Sequence, residues 1–300
     1  MREVRWEQMF RDELESAIRE CPVVYFAYGL CEPHGPQNAV GLDILKAHGI
    51  CCAAARAHGG IVAPPDFWHV HEHAGEAAWF AGVIGEARSW CTAVPAWHHF
   101  KSVAYHIRAA HQNGFHAALF VTGHYGPNWR DLNTLLAIYQ PHVAPRLYGL
   151  PDFEANTPGF DGDGCSGGDH AGKVETSLLW ALLPECVDVS RIPPELPASP
   201  EERFAQGANA SEASRRIGLR MVDDEVRYLG SKAGELLADY EAAAPHRPEL
   251  TFEDIERIWD EEVRSRLPDF ECCQKLYHQG QQPPPEGSRW RPHWDLPIRG

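Results

Sequence analysis

Two apolar runs in the first half of the chain are each followed at once by glycine and polar residues. The first covers residues 22–28, PVVYFAY, and the second covers residues 117–121, AALFV. Short runs that are rich in β-branched and aromatic side chains and that end near glycine are typical of buried strands. We therefore predict that these two segments are core strands of a sheet.

Elsewhere, apolar residues recur mainly at the three-to-four-residue spacing of helices. The predicted helices cover residues 4–20, 43–58, 100–112, 128–140, 175–183, 211–244 and 251–267. Shorter strands are predicted at residues 61–63, 88–94 and 146–150. Because strand and helix alternate from residue 22 to residue 184, we expect an α/β fold, a three-layer α/β/α sandwich around a mainly parallel sheet.

Polar side chains that can bind a metal follow both core strands. Glu32, His34 and Asp43 come after the first strand, and His124 comes after the second. Open α/β sheets keep their sites at the carboxyl ends of the strands, so we expect these residues to meet in a cleft. Carboxylates and imidazoles suit a divalent ion such as zinc, manganese or iron. Taken singly, each residue is more often an ordinary polar group, and only the combination favours a metal site.

A glycine-rich stretch at residues 167–177, GGDHAGKVETS, adds Asp169, His170 and Glu175. Together with EPHGP at residues 32–36 and VTGHYGPN at residues 121–128, it resembles the creatininase family of metal-dependent amidohydrolases. The resemblance covers about residues 23–191 and includes the later segment LLWALLPECVDVSR. The matching segments occur in the family's order, and the creatininase-like fold that they imply agrees with the predicted sandwich.

The resemblance implies two divalent ions per subunit, Zn²⁺ or else Mn²⁺ or Fe²⁺. One ion would take Glu32, Asp43 and His124, and the other would take His34 and Asp43, so that Asp43 bridges the pair. We expect Glu175 as the fifth ligand; the alternative is a carboxylate that is stabilised by the start of a helix. Two such ions would lower the pKa of a bridging water and polarise an amide carbonyl together.

Two further residues are expected to act on the substrate. His170 matches the family histidine that gives a proton to the leaving nitrogen, and histidine titrates in the range which that step needs. Asp169, beside it, would either orient the imidazole or contact the substrate. The alternative for Asp169 is a solvated loop carboxylate.

The sequence departs from the creatininases at two positions. Gly126 stands where they carry the glutamate of H-Y-E, and Ser166 stands where they carry a tryptophan of the substrate pocket. Creatinine itself is therefore not the expected substrate. We expect hydrolysis of a C–N bond in another small molecule, a cyclic amide or a formamide. The alternative is a catalytically silent metal-binding member of the family that serves as an interaction or structural protein.

Histidines alternate in residues 67–74, FWHVHEHA. His69, His71 and His73 would point to one side of an extended chain. Two interpretations stay open. The histidines line the active site, with direct metal ligation the less favoured role, or they belong to a half-exposed loop.

Composition limits the class of partner. The chain has 27 basic and 42 acidic residues and a formal net charge of −15, which disfavours binding to a nucleic-acid backbone. It has no apolar run of membrane-spanning length and no signal-peptide core, so we expect no membrane partner. Nine cysteines, with adjacent pairs at residues 51–52 and 272–273, favour reduced thiols in a cytoplasmic protein over a disulfide framework.

We expect residues 1–244 to form one creatininase-like domain and residues 245–300 to form a helical and proline-rich extension. Residues 279–300 are judged too polar and too rich in proline to pack as an element, and a contact with a neighbouring subunit is the expected role. Because family members often assemble as hexamers, the resemblance implies a homo-oligomer.

Overall fold

The computed structural model describes residues 3–126, 128–155, 168–275 and 282–299. Its strands are β1 (Val23–Tyr28), β2 (Ile61–Val62), β3 (His69–Val70), β4 (Ala93–Val94), β5 (Ala117–Thr122) and β6 (Arg146–Pro151). Four of them form a parallel sheet in the order β2–β1–β5–β6. Every residue of β1 and β5 is buried, as the two apolar runs predicted.

The helices alternate with these strands over most of the chain. They are α1 (Arg11–Glu20), α2 (Leu42–His58), α3 (Gly75–Ile84), α4 (Ala96–Gln112), α5 (Asn128–Tyr139), α6 (Lys173–Leu182), α7 (Pro200–Arg203), α8 (Arg215–Ala243), α9 (Phe252–Ile258) and α10 (Arg291–Trp294). The helix predicted over residues 251–267 begins as expected, because the Thr251 hydroxyl caps the Asp254 N–H. It gives way after Ile258 to a π turn and a 3₁₀ turn, and the 3₁₀ turn includes Pro268.

Side chains of β1 alternate between two hydrophobic cores, one on each face of the sheet. Val23, Tyr25 and Ala27 pack with residues of α2, α6 and α8. Val24, Phe26 and Tyr28 pack with residues of α4, α5 and α9 on the other face. This period of two is the signature of a strand that is covered on both sides. The three-layer α/β/α sandwich predicted from the sequence is therefore confirmed.

A second, smaller sheet stands apart from the first. It consists of β3 and β4, which pair in parallel, with α3 in the connection between them. The strand predicted over residues 88–94 is reduced to Ala93–Val94. The extended run of alternating histidines is also shorter than expected, because the backbone takes positive φ at Glu72 (53°) and Ala74 (50°).

The C-terminal segment packs on α3. Trp290 is fully buried, its ring lies 4.7 Å from that of Phe80, and its indole N–H donates to the Gly85 carbonyl at 2.7 Å. The prediction that this stretch is too polar to pack is therefore wrong for Trp290 and Trp294, whereas most other residues of 282–299 are exposed. Residues 250–273 also contribute to the core that contains Val24, Phe26 and Tyr28. The division at residue 244 stays a prediction, as does contact with another subunit.

Within the ranges that the structure covers, no helix combines the length and the apolar character that a bilayer crossing requires.

Candidate functional site

Two glycines allow α2 to begin directly behind the ends of β1 and β5. A Cβ atom on Gly29, just after β1, would lie 2.5 Å from the Ile44 nitrogen. A Cβ atom on Gly123, just after β5, would lie 2.0 Å from the Asp43 carbonyl oxygen. Distances this short are excluded for any other residue. The close approach brings Asp43, on the first turn of α2, to the carboxyl ends of both central strands.

The Asp43 carboxylate lies between two histidines. Its Oδ1 atom is 3.0 Å from Nε2 of His34, and its Oδ2 atom is 3.2 Å from Nδ1 of His124. Glu32 completes the group, with Oε1 at 2.9 Å from Nδ1 of His124. All four side chains are at most 4% exposed. The four residues that follow β1 and β5 in the sequence are thus brought together, and each oxygen of Asp43 faces a different histidine.

Several polar atoms in this group face one another at close range but make no well-directed hydrogen bond. Among the described residues, the buried atoms of this kind include Glu32 Oε2, His34 Nε2, Asp43 Oδ1, Asp43 Oδ2, His71 Nε2 and His124 Nε2. Buried polar atoms are rarely left unpaired, and so many facing one another are what a bound cation would satisfy. The nitrogen and oxygen donors fit Zn²⁺, Mn²⁺ or Fe²⁺.

Burial and charge act in opposite directions on these groups. Burial alone would raise the pKa of Glu32, but the facing imidazoles of His124 and His71 outweigh it and hold that pKa well below its usual value. Burial alone would lower the pKa of His34, but Asp43 and Glu32 outweigh it and raise that pKa to about 9. The site therefore stabilises the charged form of Glu32, as a ligand to a cation requires.

The candidate ligand residues form three sets, and within each set the ligand atoms lie within 4.8 Å of one another. They are Glu32 with His71 and His124, His34 with Asp43 and Glu175, and Glu32 with His34 and His170. The first two sets resemble the two expected metal positions, and Asp43 contacts a histidine of each.

His71 reaches the cluster beside Glu32 and His124. Its Nε2 atom is 2.7 Å from Oε2 of Glu32, and its ring centroid is 4.9 Å from that of His124. The interpretation of residues 67–74 as a half-exposed histidine loop is wrong, because His69, His71 and His73 are all at most 3% exposed. The alternating histidines were the available signal, but only the turn at Glu72 decides which ring reaches the cluster.

Glu175 lies on the first turn of α6, and its contacts agree with both predicted roles, a metal ligand and a carboxylate at the start of a helix. Its Oε2 atom accepts the Ala171 N–H at 2.7 Å and lies 3.7 Å from Nε2 of His34. Its Oε1 atom is 3.3 Å from Nζ of Lys46. Burial raises the pKa of Glu175 to about 8, although Lys46 and His34 oppose that shift. Glu175 is therefore both a helix-start carboxylate and a member of the second ligand set.

Lys46 is a site residue that the sequence analysis missed. It is fully buried on α2, and its ammonium contacts both oxygens of Asp152 at 3.0 and 3.1 Å and the carbonyl of Gly123. It also lies 3.9 Å from the centre of the Tyr125 ring. A signal was present, because Lys46 follows Asp43 by three residues and so shares its helix face.

His170 and Asp169 stand at the entrance of α6. The His170 ring stacks on that of His34 at 4.6 Å, and its Nε2 atom lies 2.9 Å from the Pro33 carbonyl oxygen. Burial lowers the pKa of His170 to about 4. Asp169 is not a solvated carboxylate, because its two oxygens accept the backbone N–H groups of Val174 and Glu175 at 2.8 and 3.1 Å. Gly167 and Ser166 lie outside the described residues.

A cavity of about 240 Å³ opens beside these groups. Its lining combines site histidines with aromatic and acidic side chains, among them His71, His124, His170, Trp79, Tyr125, Phe153 and Glu76. Burial raises the pKa of Glu76 to about 7 against the opposing effect of His71 and His124. The sequence analysis did not identify Trp79 or Glu76. Both lie on α3, whose place at the site depends on contacts with distant parts of the chain.

Comparison with known proteins gives one family match and several structures with the same fold. The family model described as creatinine amidohydrolase matches residues 7–231. No curated protein matches the chain in sequence. A creatininase structure described with manganese is 21% identical, covers 78% of this chain and 98% of its own, and has a TM-score of 0.60. A creatininase mutant complexed with creatine is also 21% identical over the same shares of the two chains, with a TM-score of 0.61.

A putative creatinine amidohydrolase from Bacteroides fragilis is 20% identical and has a TM-score of 0.61. The match covers 79% of this chain and 97% of that one. Identities this low establish the shared fold alone, whereas the family model spans the segments that carry the ligand residues. The chain therefore belongs to the creatininase family.

Proposed function

We propose that the protein is a metal-dependent hydrolase that cleaves a C–N bond in a cyclic amide or a formamide. The observation that carries this proposal is the Asp43 carboxylate, whose two oxygens face His34 and His124 and are buried. A carboxylate in this position can link two ions at a short distance. The creatininase structures described with manganese and as a zinc–zinc type support a divalent metal.

The ligands follow from the clusters. Glu32, Asp43 and His124 would hold one ion, with His71 as an additional ligand that the sequence analysis did not favour. His34, Asp43 and Glu175 would hold the other. A bound divalent ion lowers the pKa of water and polarises the carbonyl of an amide.

His170 is assigned the proton transfer. A carbonyl oxygen can only accept, so the contact with Pro33 places the hydrogen of the neutral ring on Nε2. The other ring nitrogen, Nδ1, is then the atom that takes a proton from the attacking water and passes it to the leaving nitrogen. The low pKa of His170 agrees with a ring that begins the reaction neutral.

Asp169 is assigned a positioning role. Its carboxylate binds the first turn of α6, which carries Glu175, and it stands next to His170 in the chain. Lys46 has a comparable role, because it contacts both Glu175 and the Asp152 carboxylate. The cavity volume suits a small molecule, and the creatininase solved with creatine supports that class of substrate. A homo-oligomer stays a prediction.

The test combines metal analysis with turnover. Protein purified with Zn²⁺ or Mn²⁺ should bind up to two ions per chain and hydrolyse at least one member of a panel of formamides and five- and six-membered cyclic amides. Asp43→Asn should lose ions from both positions, with metal affinity reduced by more than about 100-fold. The control is Asp224→Asn, which alters a largely buried carboxylate that is bound to Arg220 and Arg227.

Two results would contradict the proposal. If Asp43→Asn keeps the full metal content, Asp43 does not link two ions. If the protein binds metal but cleaves no member of the panel, the alternative of a catalytically silent metal-binding protein is favoured.

A further inference from the structure

Glu76 is a buried carboxylate beside the metal ligands that the assignments above leave without a role. It lies on the first turn of α3, is 5% exposed and lines the cavity. Its Oε1 atom is 4.0 Å from Nε2 of His124, and its Oε2 atom has no hydrogen-bond partner in the described part of the chain. Glu76 belongs to none of the three compact ligand sets.

The Glu76 carboxylate fills the space in front of Gly126. A Cβ atom on Gly126 would lie 3.2 Å from Oε1 of Glu76, and Gly126 has a φ of +119°, which side-chain-bearing residues rarely adopt. An acidic group therefore stands where a side chain at position 126 would extend. It reaches this place from α3, not from the loop that follows β5.

Trp79 is the next residue on the same face of α3, three positions after Glu76. Its ring stands nearly edge-on to that of His170, with centroids 5.0 Å apart and an interplanar angle of 75°. It also lines the cavity. One face of α3 thus presents an acceptor and an aromatic wall to the same space.

Resting on the proposed function, we propose that Glu76 and Trp79 form the substrate-recognition face, in which the Glu76 carboxylate accepts hydrogen bonds from N–H groups of a planar cyclic amide and Trp79 covers its ring. A carboxylate oxygen that carries no proton accepts hydrogen bonds, and the buried, unpaired Oε2 atom of Glu76 gains most from a donor. The substrates are therefore cyclic amides or ureides that carry N–H groups, and analogues in which those nitrogens are methylated are excluded.

The experiment uses matched pairs of probes and the metal-loaded protein. Binding of hydantoin and 1,3-dimethylhydantoin, and of dihydrouracil and its dimethyl analogue, is measured by titration calorimetry with metal content determined in parallel. The wild-type protein should prefer the N–H member of at least one pair by about tenfold or more. Glu76→Gln removes the charge and replaces one of the two accepting oxygens by an N–H donor, so it should remove most of that preference and leave affinity for the methylated member and the metal content unchanged.

Two other variants complete the design. Glu202→Gln makes the same chemical change at an exposed position of α7 and should keep the wild-type preference. Glu76→Asp keeps the charge on a shorter side chain and should keep part of the preference. If Glu76→Gln does not fold, the preference of Glu76→Asp decides the test instead.

Three results would overturn the assignment. These are a wild-type protein that does not distinguish the members of either pair, a preference that survives in Glu76→Gln, and loss of metal from Glu76→Gln, which would make Glu76 a ligand. The failure of the hydrolase proposal is separate. An N–H preference without turnover of any amide contradicts hydrolysis alone, and turnover without the preference contradicts the role of Glu76 alone.

Discussion

The two sides of the cavity are supported by different parts of the chain. The strand-end side comprises Glu32, His34, Asp43 and His124, which follow β1 and β5. The α3 wall comprises Glu76 and Trp79, which both lie on α3. The strand-end side rests on the central strands and on α2, within the segment that the family model matches.

The α3 wall is held by residues beyond that segment. The Gly75 N–H donates to the Gln274 carbonyl at 3.2 Å, and the Ala74 N–H donates to the His293 carbonyl at 3.3 Å. At the other end of α3, the Trp290 indole donates to the Gly85 carbonyl. Because the family match ends at residue 231, these contacts belong to the chain's own extension.

This difference separates chemistry from recognition. The candidate ligands of the strand-end side follow the two fully buried central strands, so a substitution there should affect both the core and metal binding. The groups assigned to recognition stand on a helix that is packed against a peripheral segment. Variants should therefore affect the two sides unequally.

Lys46→Met should produce the largest effect, on the strand-end side. It removes the cation that is bonded to Asp152 and leaves a buried carboxylate without its charge partner. Loss of one member of a buried ion pair destabilises by about 3–5 kcal/mol. Urea denaturation at fixed metal content measures the change. The control is Lys232→Met, which breaks a more exposed pair with Glu235 and should cost less than about 1 kcal/mol.

A second substitution tests the cause of that loss. Asp152→Asn in the Lys46→Met background should recover part of the stability, because a neutral amide leaves no uncompensated charge. Equal destabilisation by Lys46→Met and Lys232→Met would show that the strand-end side does not depend on this pair.

Trp290→Ala should loosen the α3 wall and leave the sheet intact. Truncation of a fully buried tryptophan costs about 3–5 kcal/mol. We expect most of this loss as easier local opening, so hydrogen exchange of residues 75–84 should accelerate by about 100-fold. Amides of β1 and β5 should change much less. Trp68→Ala, at a tryptophan that is 57% exposed, is the matched control. Equal acceleration in β5 and α3 would contradict a separately held wall.

The same division decides how much could be predicted from sequence. The residues at the strand ends could be predicted, because the two apolar runs marked β1 and β5 and the carboxyl ends of parallel strands meet at one edge of a sheet. Asp43 needed only its place at the start of a predicted helix. The glycines that let α2 approach were visible, but the contacts that require them were not.

The α3 wall could not be predicted in this way. Trp290 and Gly85 are separated by 205 residues, and no local periodicity links a proline-rich tail to a particular helix. The packing of Trp290 and Trp294 was therefore not predicted, and no sequence pattern marked Glu76 or Trp79. His71 was partly predictable. The alternating histidines were visible in the sequence, but which ring faces the cluster depends on the backbone turn at Glu72.

A smaller effect should appear in the pH dependence of stability, through Glu225 on α8. Burial raises the pKa of Glu225 on α8 to about 9, although its Oε1 atom accepts the Ala155 N–H at 2.7 Å. Between about pH 4.5 and 9 the folded state then keeps a proton that the unfolded state has lost, so this group makes stability fall as pH rises. Glu225→Gln stays neutral and removes that fall.

The free energy of unfolding of Glu225→Gln relative to the wild type should therefore increase from pH 6 to pH 7, by about 1–2 kcal/mol. Urea denaturation at both pH values measures it. Glu235→Gln, at a more exposed position of α8, is the control and should show no such trend. A constant difference between Glu225→Gln and the wild type would contradict the raised pKa.

The smallest effect should arise where the two sides meet, at Gly126 and Glu76. Gly126→Ala adds a Cβ atom 3.2 Å from Oε1 of Glu76 at a φ of +119°, and we expect a loss of about 1–2 kcal/mol. Gly114→Ala also has a positive φ, +85°, but no described atom lies within 4 Å of its added Cβ, so it reports strain alone. A cycle with Glu76→Ala isolates the contact, and the coupling should be about 0.5–1 kcal/mol. Zero coupling, measured by denaturation of the four proteins, would mean that the wall and the strand-end side touch without competing for this space.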